Sequence, residues 1–312
     1  MKILVTGALG HIGSKLIREL PFHFGNDEII LFDNLLTQRY CSLFNLPREG
    51  RYKFIEGDIL TYDLISLFDK VDCVIHLAAI TNAAGSFDIQ EEVESVNYIG
   101  TEKVANACSL TNTSLVYLST TSVYGTQNEV VDEDCSNLEL KPQSPYAESK
   151  LKAELFLTEL GIKKKLNFVI CRFGTIFGSS PGMRFHTAIN KFCWQVVMGL
   201  PISVWRTALN QKRPYLDLND AINALFFILE NNVFDKRIYN VLTLNTTVNE
   251  ICESIKTIIP DLSIEFVDSK IMNQLSYNVS NEKFKKLGFM FKGDLQKGIA
   301  ETINLIGGIN KL

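Results

Sequence analysis

Through the first half of the chain, short apolar runs alternate with longer stretches in which apolar side chains recur every three or four positions. The runs at 2–6, 28–33, 52–56, 71–78, 114–119 and 167–172 have the length of strands. The stretches at 12–20, 89–109 and 146–160 have the period of helices. The strand runs are apolar nearly throughout, so both faces of their sheet need cover, and the intervening helices supply it. The pattern predicts an α/β fold built on a doubly wound parallel sheet.

After about Gly178 the regularity loosens. A helix at 187–199 leads to a short strand at 202–204, an apolar run at 215–218 and a helix at 220–231 capped by Asn219 or Asp220. A run at 238–242, a helix at 248–259, a strand at 263–267 and a helix at 295–306 complete the pattern. This predicts two closely joined parts, 1–174 and 175–312, with some of 205–240 returning to the first. No repeat, low-complexity tract or flexible linker separates them, so one cleft between them is expected.

Composition narrows the class. Hydrophobic residues make up 46% of the 312 positions and charged ones 21%, which suits a globular protein with a substantial core. The net charge of −4 gives no reason to expect nucleic acid or an anionic membrane as partner. No apolar run approaches the ~18 residues of a membrane span. The seven cysteines form neither a CxxC pair nor a Cys/His cluster, so no metal site and a reducing cytoplasm are expected.

The chemistry begins at Gly7-x-x-Gly10-x-x-Gly13, between a predicted strand and a predicted helix. In that context Gly7 permits a tight turn, Gly10 lets the backbone approach a pyrophosphate, and Gly13 allows close helix packing. Exposed N–H groups at the helix start then face the phosphates. Asp33 ends the second strand near the separation at which a carboxylate accepts from a ribose 2′-hydroxyl and repels a 2′-phosphate, so NAD is favoured over NADP. Asp58 closes the third strand, where it either caps a turn or accepts from an adenine amino group. His76-Leu77-Ala78-Ala79 ends the fourth with small residues that leave room for a dinucleotide.

Tyr146 and Lys150 stand four residues apart on one predicted helix and share a face. A tyrosine hydroxyl with its ordinary pKa of about 10 is a poor base, and an adjacent ammonium favours the phenolate. Ser119-Thr120-Thr121-Ser122 leaves the end of the fifth strand, where hydroxyls can hold a reacting oxygen against that phenol.

These segments, together with Asn97-x-x-Gly100-Thr101, Arg172-Phe173 and Arg213-Pro214-Tyr215-Leu216-Asp217-Leu218-Asn219-Asp220, resemble the extended short-chain dehydrogenase/reductases of the nucleotide-sugar epimerase/dehydratase group, UDP-glucose 4-epimerase among them. The resemblance runs along essentially the whole chain. It implies a Rossmann-type domain with a smaller C-terminal α/β substrate-binding domain, a bound NAD and a nucleotide-diphosphate sugar as substrate. It implies Tyr146 as acid/base, Lys150 as the ribose-binding residue that lowers the tyrosine pKa, and Thr120 as the family's catalytic Ser/Thr. Gly7, Gly10, His11, Ile12, Gly13, Asp33, Asn34, Asp58, Ile59, Leu77, Ala78, Ala79, Asn97 and Phe173 match cofactor-contacting positions. Arg213 matches an arginine that pairs with the substrate diphosphate, and Thr121, Ser122 and Thr175 are assigned to the substrate. The stretch Gly182-Met183-Arg184-Phe185-His186 has no family counterpart, and its Arg184 and His186 are expected either to face the substrate or to lie on the surface.

The departures set the expected reaction. Family 4,6-dehydratases follow the catalytic Thr with Asp-Glu, whereas Thr121 and Ser122 stand here, which disfavours dehydration. Thr175 replaces a sugar-side Asn, and Thr81 replaces the Lys of some 4-epimerases. Epimerisation at C4 through a transient 4-keto sugar is the reading, with a 4-dehydrogenase or keto-sugar reductase as the alternative and a non-catalytic NAD-binding regulator behind both. The helices at 89–109 and 146–160 resemble those through which relatives pair as homodimers.

Overall fold

The computed structural model describes residues 1–25, 27–125, 130–267 and 276–308. The chain begins β1 (Lys2–Thr6), α1 (His11–Phe24), β2 (Glu28–Asp33), β3 (Arg51–Glu56), α2 (Leu64–Phe68) and β4 (Cys73–His76). It continues α3 (Gln90–Glu94), α4 (Gly100–Thr111), β5 (Ser114–Thr120), β6 (Val130–Val131), α5 (Pro145–Lys163) and β7 (Phe168–Phe173). Then come β8 (Thr175–Phe177), α6 (Ala188–Val197), β9 (Ile202–Trp205), β10 (Lys212–Asp217), α7 (Leu218–Glu230) and β11 (Ile238–Val241). The last elements are β12 (Leu244–Thr247), α8 (Val248–Lys256), β13 (Ile264–Val267), β14 (Asn278–Val279), α9 (Glu282–Lys286) and α10 (Leu295–Ile306).

Seven strands form one parallel sheet in the order β11-β7-β5-β4-β1-β2-β3. The order reverses at β1, whose neighbours are β2 and β4, and that reversal opens a crevice at the strands' C-terminal ends. The doubly wound sheet predicted from the apolar runs is present. Within β1, Ile3 and Val5 enter the core shared with Leu225 and Ile228 of α7, while Leu4 enters the core shared with Ala153 and Leu157 of α5. Each face is thus a separate apolar layer, and a Leu→Ala change in either costs about 2–5 kcal/mol.

The remainder forms a three-stranded sheet, β12-β10-β8, and the pairs β13-β9 and β14-β6. A third core lies beneath α6, α8 and α10, with Phe192, Ile251 and Ile299 among its members. Within 205–240 the chain re-enters the large layer, through Leu216 and then α7 and the start of β11.

Four local expectations are corrected. β4 stops at His76, so Leu77 and Ala78 leave the strand with their N–H groups donating to the Thr6 hydroxyl at 3.2 Å. The predicted helix at 89–109 is broken by a π-type turn at Ser95–Ile99. There Asn97 points inward, donating to the Ile80 carbonyl at 2.9 Å and accepting from the Ile80 N–H at 2.8 Å. β10 starts at Lys212, ahead of the predicted run at 215–218. The cap of α7 is Asp217, which accepts from the Asn219 N–H at 2.7 Å. Asp220 instead accepts from the Thr243 hydroxyl and from the N–H groups of Lys292 and Gly293. Among the described residues, no helix is long and apolar enough to cross a membrane, and no group of three or more His, Cys, Asp or Glu side chains can hold a metal ion.

Candidate active site

Gly7 sits at φ +64°, and a Cβ there would lie 2.7 Å from the Ala78 nitrogen. A Cβ at Gly13 would lie 2.6 Å from the carbonyl oxygens of Gly7 and Ala8, so α1 seats directly on the loop. Gly10 is the open member, where a Cβ would meet only the Gly7 oxygen at 3.3 Å and an Arg39 guanidinium nitrogen at 4.0 Å. Its open side is the cradle that a dinucleotide phosphate needs. His11 and Ile59 are buried beside this edge, and Ile12 packs against the apolar layer under α1.

Asp33 is held by the loop it serves, one carboxylate oxygen accepting from the Leu9 N–H at 3.0 Å and the other from the Leu35 N–H at 2.9 Å. Asp58 accepts from the Leu60 N–H at 2.8 Å and from the Asn34 amide at 3.0 Å, so it shapes a turn and ties the ends of β2 and β3 together. Asn97 is fully buried and also donates to Ser149 at 3.1 Å, which fixes the Ala79–Ile80 loop against α5.

His76 explains the seat of that loop. Thr101 donates its proton to the Asn97 carbonyl at 2.6 Å, so its oxygen accepts from His76 Nε2 at 3.1 Å. Nδ1 then accepts from Thr6 at 2.7 Å. Burial, aided by Lys150, lowers the His76 pKa to about 3 and keeps the ring neutral.

The face that carries Tyr146 and Lys150 is set by the start of α5. Ser144 caps it by accepting from the Ala147 N–H at 3.2 Å, and Pro145 takes the first helical position, where a missing N–H costs nothing. Tyr146 and Lys150 follow on the inward face, Lys150 donating to the Leu118 carbonyl at 2.8 Å and lying 4.9 Å from the centre of the Tyr117 ring. Burial lowers the Lys150 pKa to about 7, opposed by the charge of Glu154. Burial raises the Tyr146 phenol above its ordinary value, while a hydrogen bond with Thr120 and the nearby Arg184 charge pull it down. Thr120 ends β5 in register with Phe173 and accepts from the Ser122 N–H at 3.1 Å. Thr121 is buried and donates to the Phe173 carbonyl at 3.4 Å.

Beneath this face lies a buried ion pair. Glu154, one turn beyond Lys150, accepts from Arg172 Nη2 at 2.6 Å and Nε at 3.0 Å, and from the Ser119 hydroxyl. Residues 146, 150 and 154 thus share one stripe of α5, anchored to consecutive residues of β5.

The structure brings Thr120, Tyr146 and Lys150 together and sets Asp33, Asp58, Leu77 and Phe173 along the same sheet edge. Thr175 and Arg213 lie on adjoining strands, with Thr175 in register with Tyr215. Arg39, several residues beyond Asp33 in sequence and on that ground expected to stand apart from it, instead reaches Asp33 and Gly10 across a loop. Tyr277, buried beside β14, lies within electrostatic reach of Tyr146 and Tyr215 and belongs to no periodic pattern or motif, so no sequence signal pointed to it.

Residues 3–241 match the NAD dependent epimerase/dehydratase family. The chain is 29% identical over 317 residues to a trifunctional UDP-glucose 4,6-dehydratase/UDP-4-keto-6-deoxy-D-glucose 3,5-epimerase/UDP-4-keto-L-rhamnose-reductase of Arabidopsis thaliana, covering 96% of this chain and 46% of that protein. It therefore spans about half the length of that plant relative. It is 30% identical over 320 residues to the dTDP-D-glucose 4,6-dehydratase of Bos taurus, covering 97% of this chain and 87% of that one. A solved structure of UDP-glucuronic acid 4-epimerase from Bacillus cereus, in complex with UDP-glucuronic acid and NAD, superimposes with a TM-score of 0.87 at 26% identity over 99% of each chain. With the glycine cradle, the acidic end of β2 and the Tyr146/Lys150 face, these likenesses establish that the chain belongs to the NAD-dependent epimerase/dehydratase family.

Proposed function

We propose that this chain is an NAD-dependent nucleotide-diphosphate-sugar epimerase acting at C4. The observation that carries the reading is the phenol of Tyr146, hydrogen-bonded to Thr120 beside a buried Lys150, with Thr121 and Ser122 in place of an acid–base pair. When bound, NAD takes up and returns a hydride at the sugar carbon. Tyr146 removes the proton from the C4 hydroxyl as the ketone forms and restores it when the opposite configuration is made. Thr120 holds the same oxygen, and the Lys150 ammonium stabilises the phenolate. Thr121 and Ser122 offer neither a carboxylate nor another group that titrates near neutral pH, so loss of water across C5 and C6 lacks its acid and base.

Gly10, His11 and Asp33 support the cofactor from pyrophosphate to ribose, and Arg213 suits the substrate diphosphate through its guanidinium fork. We assign residues 1–174 with α7 and β11 to cofactor binding and most of 175–312 to the sugar nucleotide. The partly exposed Ile99 and Leu155, on α3–α4 and α5, suit pairing of two copies through those helices, which light scattering tests. The function is tested by incubating the protein, its NAD content quantified, with UDP-, GDP-, CDP- and dTDP-sugars and weighing the products. An isomer of unchanged mass supports the reading. A product lighter by one dihydrogen supports the dehydrogenase, and one lighter by water supports the dehydratase.

A further inference from the structure

We propose that Arg184, carried on a strap formed by residues 178–184 across the first turn of α1, retains the cofactor by holding its diphosphate. The inference rests on the NAD reading of the site but not on the choice between epimerisation and net redox.

The strap is latched to the cradle at several points. His11 Nε2 donates to the Gly178 carbonyl at 2.8 Å, and the Ser180 hydroxyl donates to the His11 carbonyl at 2.8 Å. Ser14 Oγ lies 3.1 Å from Ser180 Oγ and accepts from the Gly182 N–H at 2.9 Å. At Gly182 the strap touches the loop so closely that a Cβ would lie 2.3 Å from the Leu9 oxygen and 2.6 Å from the Gly10 oxygen. Asn190 fixes its far end, accepting from the Gly178 N–H at 3.2 Å and donating to the Arg184 carbonyl at 3.1 Å.

The latch determines where Arg184 points. Its charge reaches His11 at the start of α1, Arg39 on the Asp33 side and Tyr146 on the catalytic side. A dinucleotide laid from Asp33 to Tyr146 must cross the open face of Gly10, which brings its diphosphate between Arg39 and Arg184. Two observations indicate that an anion belongs there. Arg184 Nε, a donor, is buried without a hydrogen-bond partner, whereas the unpartnered His11 Nδ1 is the acceptor nitrogen of a neutral ring and adds nothing to the case. Among the described residues acting on Arg184, Tyr146 favours its charged form, Arg39 opposes it, and no carboxylate appears. The two arginines repel each other, Asp33 compensates only the Arg39 side, and a diphosphate supplies the charge and the paired oxygens that a planar guanidinium binds well.

The test measures nucleotide retention without substrate, so its failure is distinct from failure of the epimerase reading. Bound nucleotide is quantified after gel filtration, and NADH release is followed by its fluorescence in excess unlabelled NAD. For Arg184→Met the account predicts release faster by about tenfold or more, lower nucleotide content, and a flatter dependence of release on ionic strength. Arg184→Lys keeps a cation and retains most of the nucleotide. Ser14→Ala loosens the strap and speeds release by a smaller factor. Wild-type content and release rate in Arg184→Met, with the defect confined to the KM for the sugar nucleotide, overturns the proposal and gives Arg184 to the sugar. Should Arg184→Met fail to fold, the wild-type protein decides: release that does not respond to salt overturns the clamp.

Discussion

The seven-stranded layer and the smaller C-terminal sheets are joined by direct hydrogen bonds, such as that from His11 to the Gly178 carbonyl, but are built by different rules. In the large layer, each strand ends at the same edge, so the turn after the strand delivers its residue to the crevice. Thr6, Asp33, His76, Thr120 and Phe173 arrive there by repetition of one βα unit. In the C-terminal part, position is fixed by individual long-range bonds. Lys292 and Gly293 are held by Asp220 of α7, Asn245 binds the Val279 carbonyl and N–H at 3.0 Å, and Ser180 grips the His11 carbonyl. The first kind of construction gives a chemistry that can be read from spacing, and the second gives contacts that vary without disturbing the sheet.

The largest effect should come from the regular side. Tyr146→Phe is expected to lower turnover by about 10²–10⁴ while leaving the melting curve nearly unchanged, since the phenol is the proposed acid/base and Tyr146 belongs to none of the apolar cores. Steady-state kinetics beside calorimetry checks both halves, and a variant with wild-type turnover removes Tyr146 from the chemistry. Just beneath, Glu154→Gln strands the Arg172 guanidinium in a buried site and is expected to cost about 3–5 kcal/mol in denaturant unfolding. A cost under about 1 kcal/mol, the range of exposed pairs, would mean that the pair is solvated.

Lys150 sharpens the comparison through pH. Burial depresses its folded pKa from 10.5 to about 7, so below that value a charged amine is buried at full cost. As pH rises from about 7 towards 10.5, the native state sheds the proton that the unfolded chain keeps, and the penalty is relieved. Lys150→Met should therefore raise the melting temperature of the cofactor-free protein most in mildly acid solution, with the gain narrowing as the solution turns alkaline. A gain that is constant with pH contradicts the buried charge. The smallest effect belongs to the C-terminal part, where Thr247 and Glu250 form a capping box on α8. Thr247→Ala is expected to cost about 1 kcal/mol by thermal unfolding without altering cofactor binding.

The same contrast explains what the sequence disclosed. The apolar runs marked the inner strands of the large sheet because burial on both faces leaves no other composition open to them, whereas the edge strand β3 is largely exposed. The glycine trio, Asp33 and the Tyr146/Lys150 spacing were legible because each requirement is local to one turn or one helix. Asp217 was missed as a cap because Asn219 and Asp220 carry the same local signal, and only the contact with residues 243, 292 and 293 shows where Asp220 is engaged. The π-type turn at Ser95–Ile99 was hidden because inward rotation of Asn97 depends on Ile80. The strap and Tyr277 depend on partners more than a hundred residues away, which no period or spacing encodes.

The central claim is that hydride leaves the sugar carbon and returns to it within one closed site. A nucleotide sugar deuterated at C4, followed by mass spectrometry and NADH absorbance together, tests it most directly. The account predicts an epimer of unchanged mass that keeps its deuterium at C4, with no lasting rise in absorbance. Deuterium lost to free NADH, with a ketone as product, would contradict the account and make the chain a dehydrogenase.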